Sequence, residues 1–556
     1  MKKFFLFFSL SLCVALFSCN KDDAPVDEIT DELIITNDAD AINFVKGILK
    51  TQGLSSGGSF LLESLSEATV SFEGEDTEDG PLVSRFALAP NNWYVGFQWE
   101  KQTTAVAQAN EAIEKILAVT DNTLTAAGKN QALGGAYFAR GIAYFYLVQL
   151  WGEVPLYTTT AVSTGNLRAS IASIYAQIES DLKQAENLLP ITLNVKSYPN
   201  KYAADAVLSK VYLTWATVAS SAAQANTPVA PDAAKLANAV VYADKVISSG
   251  QYELEKDFIK IQPGRNNKFG KEHIYNIAYV LGEDGPNDGG NHQAHCAFSY
   301  GFDADPNTQP THIGPASFDL YTKWDNNNPN KEFDQRREFS YTAHLAKPNS
   351  GATPAGDSVY HFTPDKGWLP LFGKGIDRSY YTGPLVGPEE RDLDRLEIRY
   401  ADVLLIKAEA LIESNQDLAE AKSIINKIRR RAYQVAEFAA TPTNNLAPAD
   451  IEISSAAQAD LRAALRQERF NEFIYEQQRW LDLTRWHNLT ETVKTKVQSF
   501  TEFNGTYAQG TFFAKVKKHL GEKVAAVNAN PTKYYRFPIP ETAIETNPKL
   551  TQNPGY

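Results

Sequence analysis

Two stretches of the chain set aromatic rings beside amides and carboxylates. "NNWYVGFQWE", residues 91–100, places Trp93, Tyr94 and Trp99 next to Asn91 and Asn92. The second stretch carries Tyr300, Tyr321, Trp324, Trp368, Tyr380 and Tyr381. Trp324 runs into "DNNNPN", beginning at Asp325, and Trp368 follows Asp365, Lys366 and Gly367, so both stand beside turns rich in donors and acceptors. This combination suits carbohydrate. The C–H face of a sugar stacks on an aromatic ring, and its hydroxyls need fixed hydrogen-bond partners. The competing use of a tryptophan is core packing. That use is expected for Trp151 and Trp215, inside apolar helical runs, and for Trp480 and Trp486.

Other chemistries find weaker support. "HQAHC" brings His292, His295 and Cys296 together, but no second cluster completes a metal site. "DADPNT", residues 303–308, begins like a calcium loop, yet Thr308 stands where that loop needs glycine and Gly314 where it needs glutamate. No cofactor is expected, and a different calcium site is left open. No phosphate-binding glycine loop and no Gly-x-Ser-x-Gly elbow occurs. A glycoside hydrolase would need two carboxylates flanking a sugar cleft. With 66 acidic residues, no such pair is assignable from sequence.

The elements that position the aromatics follow from periodicity. Apolar residues recur at spacings of three and four over 98–118, 129–151, 168–189, 200–217, 231–248, 397–414, 417–434 and 456–486, which predicts helices. Between 250 and 395 the texture changes to Asn, Asp, Pro and about half of the 33 glycines, with short strand-like runs such as 274–280. The chain therefore reads as mainly α, a helical scaffold carrying a loop-rich insertion. A faint repeat supports this: "AYFARGIAYFYL", "AADAVLSKVYLTWA" and "YADVLLIKAEALIE" each set a basic residue (Arg140, Lys210, Lys407) before a small or slender one (Gly141, Val211, Ala408). Small residues let helices approach closely, and stacked helix pairs of this kind form a tetratricopeptide-like solenoid. Within 465–486, Arg469 and Glu472, Glu476 and Arg479, and Asp482 and Arg485 are spaced to pair along one helix. The final "NPGY" reads as a turn that docks the terminus.

Net charge is −13 and no block of lysine or arginine stands out, so nucleic acid is not an expected partner. The N-terminus has Lys2 and Lys3, then an apolar run to Phe17, too short to span a bilayer. It reads as a signal peptide over 1–18. Leu16-Phe17-Ser18-Cys19 resembles a bacterial lipobox, which makes Cys19 the lipidated first residue of the mature chain. The alternative is an ordinary signal peptide with a chance cysteine. With Cys13 removed and Cys19 acylated, Cys296 is alone and no intramolecular disulfide is expected. Asn20-Lys21-Asp22-Asp23 resembles the short acidic export signal of Bacteroidetes lipoproteins, and residues 19–40 read as a solvated acidic tether.

"RGIAYFYLVQLWGEVPLYT" (140–158), "IRYADVLLIKAEALIE" (398–413), "INKIRRRA" (425–432), "LRQERFNEFIYEQQRWLDLTRW" (465–486) and "YRFPIPETAIETNPKLTQNPGY" (535–556) together resemble the SusD/RagB family of outer-membrane lipoproteins. The resemblance implies scaffold halves over 41–249 and 396–556 around the 250–395 insertion. It implies glycan capture without catalysis at the outer face of the outer membrane, and a SusC-like TonB-dependent transporter that the lipoprotein covers as a hinged lid. Its positional analogy selects Trp93, Trp324 and Tyr300 as sugar-stacking rings. On the residues themselves, Trp93 and Trp324 are expected to stack, Asn91, Asn92 and Asp325 to hold hydroxyls, and Tyr321 and Trp368 to contribute nearby. The remaining alternatives are a surface glycoside hydrolase and a helical-repeat scaffold for peptides or proteins.

Overall fold

The computed structural model describes residues 35–52, 61–71, 77–161, 167–193, 197–261, 270–277, 313–324, 328–342, 344–346, 359–361, 371–372, 374, 394–435, 438 and 446–556. Eight helices form the scaffold's spine: α1 (Asp38–Gln52), α2 (Trp93–Ala118), α3 (Ala126–Trp151), α4 (Ile171–Leu188), α5 (Lys201–Thr217), α6 (Ala233–Ser248), α7 (Tyr400–Glu413) and α8 (Leu418–Ala432). From α2 to α8 each helix packs on the next, and α1 closes over α2 and α3. This is a stacked helical-repeat arrangement.

Local sequence accounts for the starts of these helices. Asn92, Thr125, Ser170, Asn200 and Asp232 occupy N-cap positions, and each side chain accepts from a backbone N–H of the first turn. Helix α3 is buried on nearly every side from Ala132 onward, as suits a helix at the centre of a stack. A Cβ at Gly135 would lie 2.2 Å from the Tyr198 hydroxyl, and one at Gly141 3.0 Å from Leu182 Cγ. The faint repeat now has a physical meaning. Arg140 of α3 pairs with Asp181 of α4 at 2.6 Å, Lys210 of α5 with Asp402 of α7 at 3.0 Å, and Lys407 of α7 with Asp244 of α6 at 2.7 Å. Each basic residue ties its helix to a neighbour.

The insertion is anchored by its borders. Strand β2 (His273–Ile277) pairs antiparallel with β8 (Arg395–Arg399), with Tyr275 opposite Ile398, and β8 leads directly into α7. Three more two-stranded sheets pair β1 (Thr69–Ser71) with β3 (Ile313–Pro315), β4 (Tyr341–Thr342) with β7 (Leu371–Phe372), and β5 (His344–Ala346) with β6 (Val359–His361).

The expected helix over 456–486 is two helices, α9 (Gln458–Phe473) and α10 (Arg479–Arg485). Between them Tyr475 and Gln477 take positive φ of 61° and 58°, and Gln477 N–H donates to Glu63 Oε1 at 2.6 Å. The break redirects the charges. Only Asp482 and Arg485 pair three apart, at 2.8 Å. Arg469 instead reaches Asp482 and Asp402, and Arg479 reaches Glu67. Glu472 and Glu476 turn inward to cations from the insertion and α8. Arg399 contacts Glu272, Glu472 and Glu476, Arg336 contacts Asp334, Glu468 and Glu472, and Arg431 contacts Glu272 and Glu472. Lys374 and Arg429 add contacts to Glu476 and Glu468. Burial raises the pKa of the Glu472 carboxyl, but Arg431, Arg399 and Arg336 outweigh it and hold the group well below its ordinary range.

Beyond α11 (Leu489–Ser499) and α12 (Phe512–Ala529), the chain returns to the scaffold. Phe537 N–H donates to Leu150 O at 2.7 Å, and Trp151 Nε1 to Pro538 O at 2.8 Å. Asn553 Nδ2 donates to Trp151 O and Phe537 O, and Tyr556 donates its hydroxyl to Arg536 O. Glu541 N–H donates to Pro90 O at 3.1 Å, which sets residues 540–550 beside the start of α2.

Candidate functional site

That return forms one wall of a cleft of about 620 Å³. The other walls are the first half of α2, the Tyr144–Leu147 turn of α3, and the 154–157 segment. Asn92 ends the preceding loop: its Oδ1 accepts from Tyr94 N–H at 3.1 Å, while Trp93 N–H donates to Asp79 Oδ2 at 2.7 Å. The cap fixes the first turn of α2, so Trp93 projects at the cleft mouth with 55 % of its surface exposed. Its ring lies on Phe97, centroids 4.8 Å apart and planes within 16°. Trp99, half-buried on the same helix, meets Trp151 edge-on at 5.2 Å.

The opposite wall is held rigidly. Tyr144 donates its hydroxyl to Tyr157 O and accepts from Tyr157 N–H at 2.6 Å. Burial raises both phenols' pKa values, so they stay protonated at neutral pH. The polar lining comes from Asn91, Thr103, Thr542 and Thr546, with the exposed carboxylates of Glu100 and Glu541. Among the described residues no lysine, arginine or histidine lines the cleft. The chemistry on offer is an aromatic face, hydroxyl and amide partners, and no fixed cation.

Of the residues singled out from sequence, Asn91, Asn92 and Trp93 meet at this cleft. Asn92 reaches the wall, but its side chain is 3 % exposed and committed to capping α2, which removes it from the expected role of holding a ligand hydroxyl. Trp324 requires a larger correction. It is 5 % exposed, donates Nε1–H to Asp334 Oδ2 at 2.9 Å, and meets Tyr341 edge-on at 5.7 Å. It is a core residue and presents no stacking face. Of the amides that made its neighbourhood look open, Asn328 is buried and donates Nδ2 to the Tyr433 hydroxyl, and Asn330 donates Nδ2 to Asp450 O. Tyr321 is half-buried in the short helix Asp319–Thr322, with the Arg337 guanidinium 4.9 Å from its ring, and does not line the cleft. Tyr300, Asp325, Trp368, Tyr380 and Tyr381 lie outside the described residues, as do Cys19, the 303–308 loop and the 292–296 cluster. Among the described residues no group of three or more His, Cys, Asp or Glu is placed to hold a metal ion, and no helix is long and apolar enough to cross a membrane.

Sequence reasoning missed the 540–550 wall and the Tyr144–Tyr157 pair. "PETAIETNP" carried a signal, since its threonines and acids are polar side chains without a helical stripe, but nothing local said which surface they would meet.

Trp151 and Trp480 are fully buried, and Trp215 stacks on Tyr175 at 5.3 Å. Trp486 donates Nε1–H to Glu409 at 2.6 Å. All four serve the scaffold, as expected.

Residues 321–556 match the family described as "SusD family", and residues 60–213 match the one described as "Starch-binding associating with outer membrane". The chain is 25 % identical to a SusD-like protein of Formosa agariphila, P2, over 87 % of this chain and 91 % of that one. The fold is similar to that of a SusD homologue from Bacteroides thetaiotaomicron, with TM-score 0.75 and 22 % identity over 95 % of this chain and 99 % of that one. It is also similar to a laminarin-binding SusD-like protein, with TM-score 0.65 and 20 % identity over 94 % of this chain and all of the other. Two matching segments on one helical-repeat scaffold, with relatives aligned along nearly its whole length, place the chain in the SusD/RagB family.

Proposed function

We propose that the protein is a cell-surface lipoprotein that captures an uncharged oligo- or polysaccharide in the α2 cleft and delivers it to a SusC-like TonB-dependent transporter, over which it sits as a lid. The observation that carries this reading is Trp93, a large aromatic face left more than half exposed at the mouth of a mainly apolar cleft that carries a few polar side chains. The laminarin-binding neighbour supports the ligand class, because laminarin is an uncharged glucan. The wall chemistry supports it too: two carboxylates and, among the described residues, no cation disfavour uronate or sulfated chains. Anchoring through Cys19 at the outer face of the outer membrane completes the proposal, and the family description that names the outer membrane is consistent with it.

Capture proceeds without cleavage in this reading. A glycosidic general acid needs a carboxyl taken out of water, whereas Glu100 and Glu541 are both exposed. Calorimetric titration of the lipid-free chain from Asn20 onward, against α-glucans, β-glucans, fructans, mannans, xylans and anionic polysaccharides, tests the proposal. Binding to one uncharged class without release of reducing ends is the expected result. Release of reducing ends would establish a hydrolase, and binding of peptides alone would establish a scaffold. Co-purification with the transporter barrel tests the lid.

A further inference from the structure

A second cavity, about 500 Å³, opens farther along α2. Its walls continue those of the first. The cleft ends at Thr103, Val106 and Tyr157, and the second cavity begins at Ala107, Gln108 and Thr159. At 1.5 Å per residue, Trp93 and Gln108 are separated by about 22 Å along the helix axis. Among the described residues the second cavity has no aromatic wall. It is lined by Gln108, Thr159, Thr160, Glu111, Glu114 and Lys115, and Lys115 is paired with Glu111 at 3.0 Å.

Its far wall is built in advance. Asn110 Nδ2 donates to Tyr157 O at 3.2 Å and to Thr159 O at 3.1 Å, Arg140 Nη1 donates to Thr158 O at 2.9 Å, and Thr160 N–H donates to Glu114 Oε1 at 2.8 Å. Against this fixed wall stands Gln108, half-buried on the cavity lining, whose side-chain amide has no hydrogen-bond partner among the described residues; its Oε1 is sealed from water, which leaves its NH2 as the group open to the cavity. An amide NH2 without a partner inside the protein can donate to a ligand hydroxyl oxygen without breaking an existing hydrogen bond.

We infer that the second cavity is a polar subsite for the same glycan chain. Trp93 stacks one sugar unit, and Gln108 with Thr159 and Thr160 holds hydroxyls of units farther along. The site then takes an internal stretch of an uncharged polymer, not only a chain end. The inference rests on the capture reading above.

The test titrates the lipid-free chain with laminarin- and starch-derived oligosaccharide ladders, from the disaccharide to the longest soluble member, alongside the intact polysaccharides. Affinity is expected to rise with length until the chain reaches both cavities. Gln108→Leu and, independently, Thr159→Val are expected to weaken the longest oligosaccharides about fivefold and leave the disaccharide unchanged, with wild-type melting temperatures. Affinity that stops rising at the disaccharide, or losses equal at every length, would overturn the subsite. Capture would still stand if Trp93→Ala abolished binding in the same experiment. If no ladder and no intact polysaccharide bound, the capture reading and the subsite would fall together.

Discussion

The α2 cleft and the ion-pair core beneath the insertion differ in a way that inverts a common expectation. The core holds Glu272, Asp334, Glu468, Glu472 and Glu476 against Arg336, Lys374, Arg399, Arg429 and Arg431, a density of charge that resembles a catalytic centre. Yet these groups are nearly all buried and satisfy one another. Among the described residues the cleft holds two carboxylates, both exposed, and one open tryptophan. Charge concentrated inside is scaffold here, and the sparse wall with one largely exposed aromatic ring is where the proposed ligand would sit. Trp93 and Trp324 make the same contrast in one residue type: each stands beside asparagines in sequence, but one is exposed and the other is enclosed.

The largest effect is expected in the core. Glu472→Ala removes the carboxylate shared by Arg336, Arg399 and Arg431, leaves three buried cations under-neutralised, and should cost about 3–5 kcal/mol in denaturant unfolding. Trp324→Ala is next. It empties an enclosed site and frees Asp334 of a donor, for a similar loss of about 3–5 kcal/mol in unfolding, while glycan affinity of the folded fraction stays at wild type. Loss of affinity with unchanged stability at Trp324 would break the comparison.

Trp93→Ala should behave in the opposite way. Glycan affinity falls about tenfold or more, equivalent to ~1.4 kcal/mol, and the melting temperature moves little because the ring is exposed.

The pH dependence of stability separates the core's carboxylates by sign. Burial raises the pKa values of Glu472, Glu476 and Asp482, but neighbouring cations outweigh it and hold them below their unfolded values. Their contribution is complete above the ordinary carboxylate range and is lost as pH falls through their folded values. Glu63 is opposite: burial pushes its pKa up to about 8 from an ordinary 4.5. Its folded form keeps a proton that the unfolded chain releases, so its contribution declines as pH rises from about 4.5 to 8. Thermal melts should show Glu63→Gln flattening that alkaline decline while the acid limb is kept. The smallest effect is that of salt. With no cation among the described residues that line the cleft, glycan affinity should change less than about twofold as ionic strength rises.

The helical scaffold was legible because it is local. Apolar stripes and capping side chains such as Ser170 and Asn200 lie within a few residues of what they specify. The site was half legible. "NNWYVGFQWE" marked one wall through its own composition, whereas Tyr144, Tyr157 and the 540–550 wall join it only through long-range contacts. The errors had the same origin. Glu472 was read against Arg469, three residues away, but its partners Arg399 and Arg431 come from other elements. "DNNNPN" was read as open because nothing nearby showed that Asn328 faces Tyr433.

The cleft depends on hydrogen bonds such as Trp151 to Pro538, which join positions 387 residues apart. Contacts of such separation form only after most of the chain has been ordered, because their loop-closure entropy must be offset by structure already in place. Under the proposed capture role, sugar binding reports completed folding: a partly assembled chain can own every helix of the scaffold and still lack the cleft.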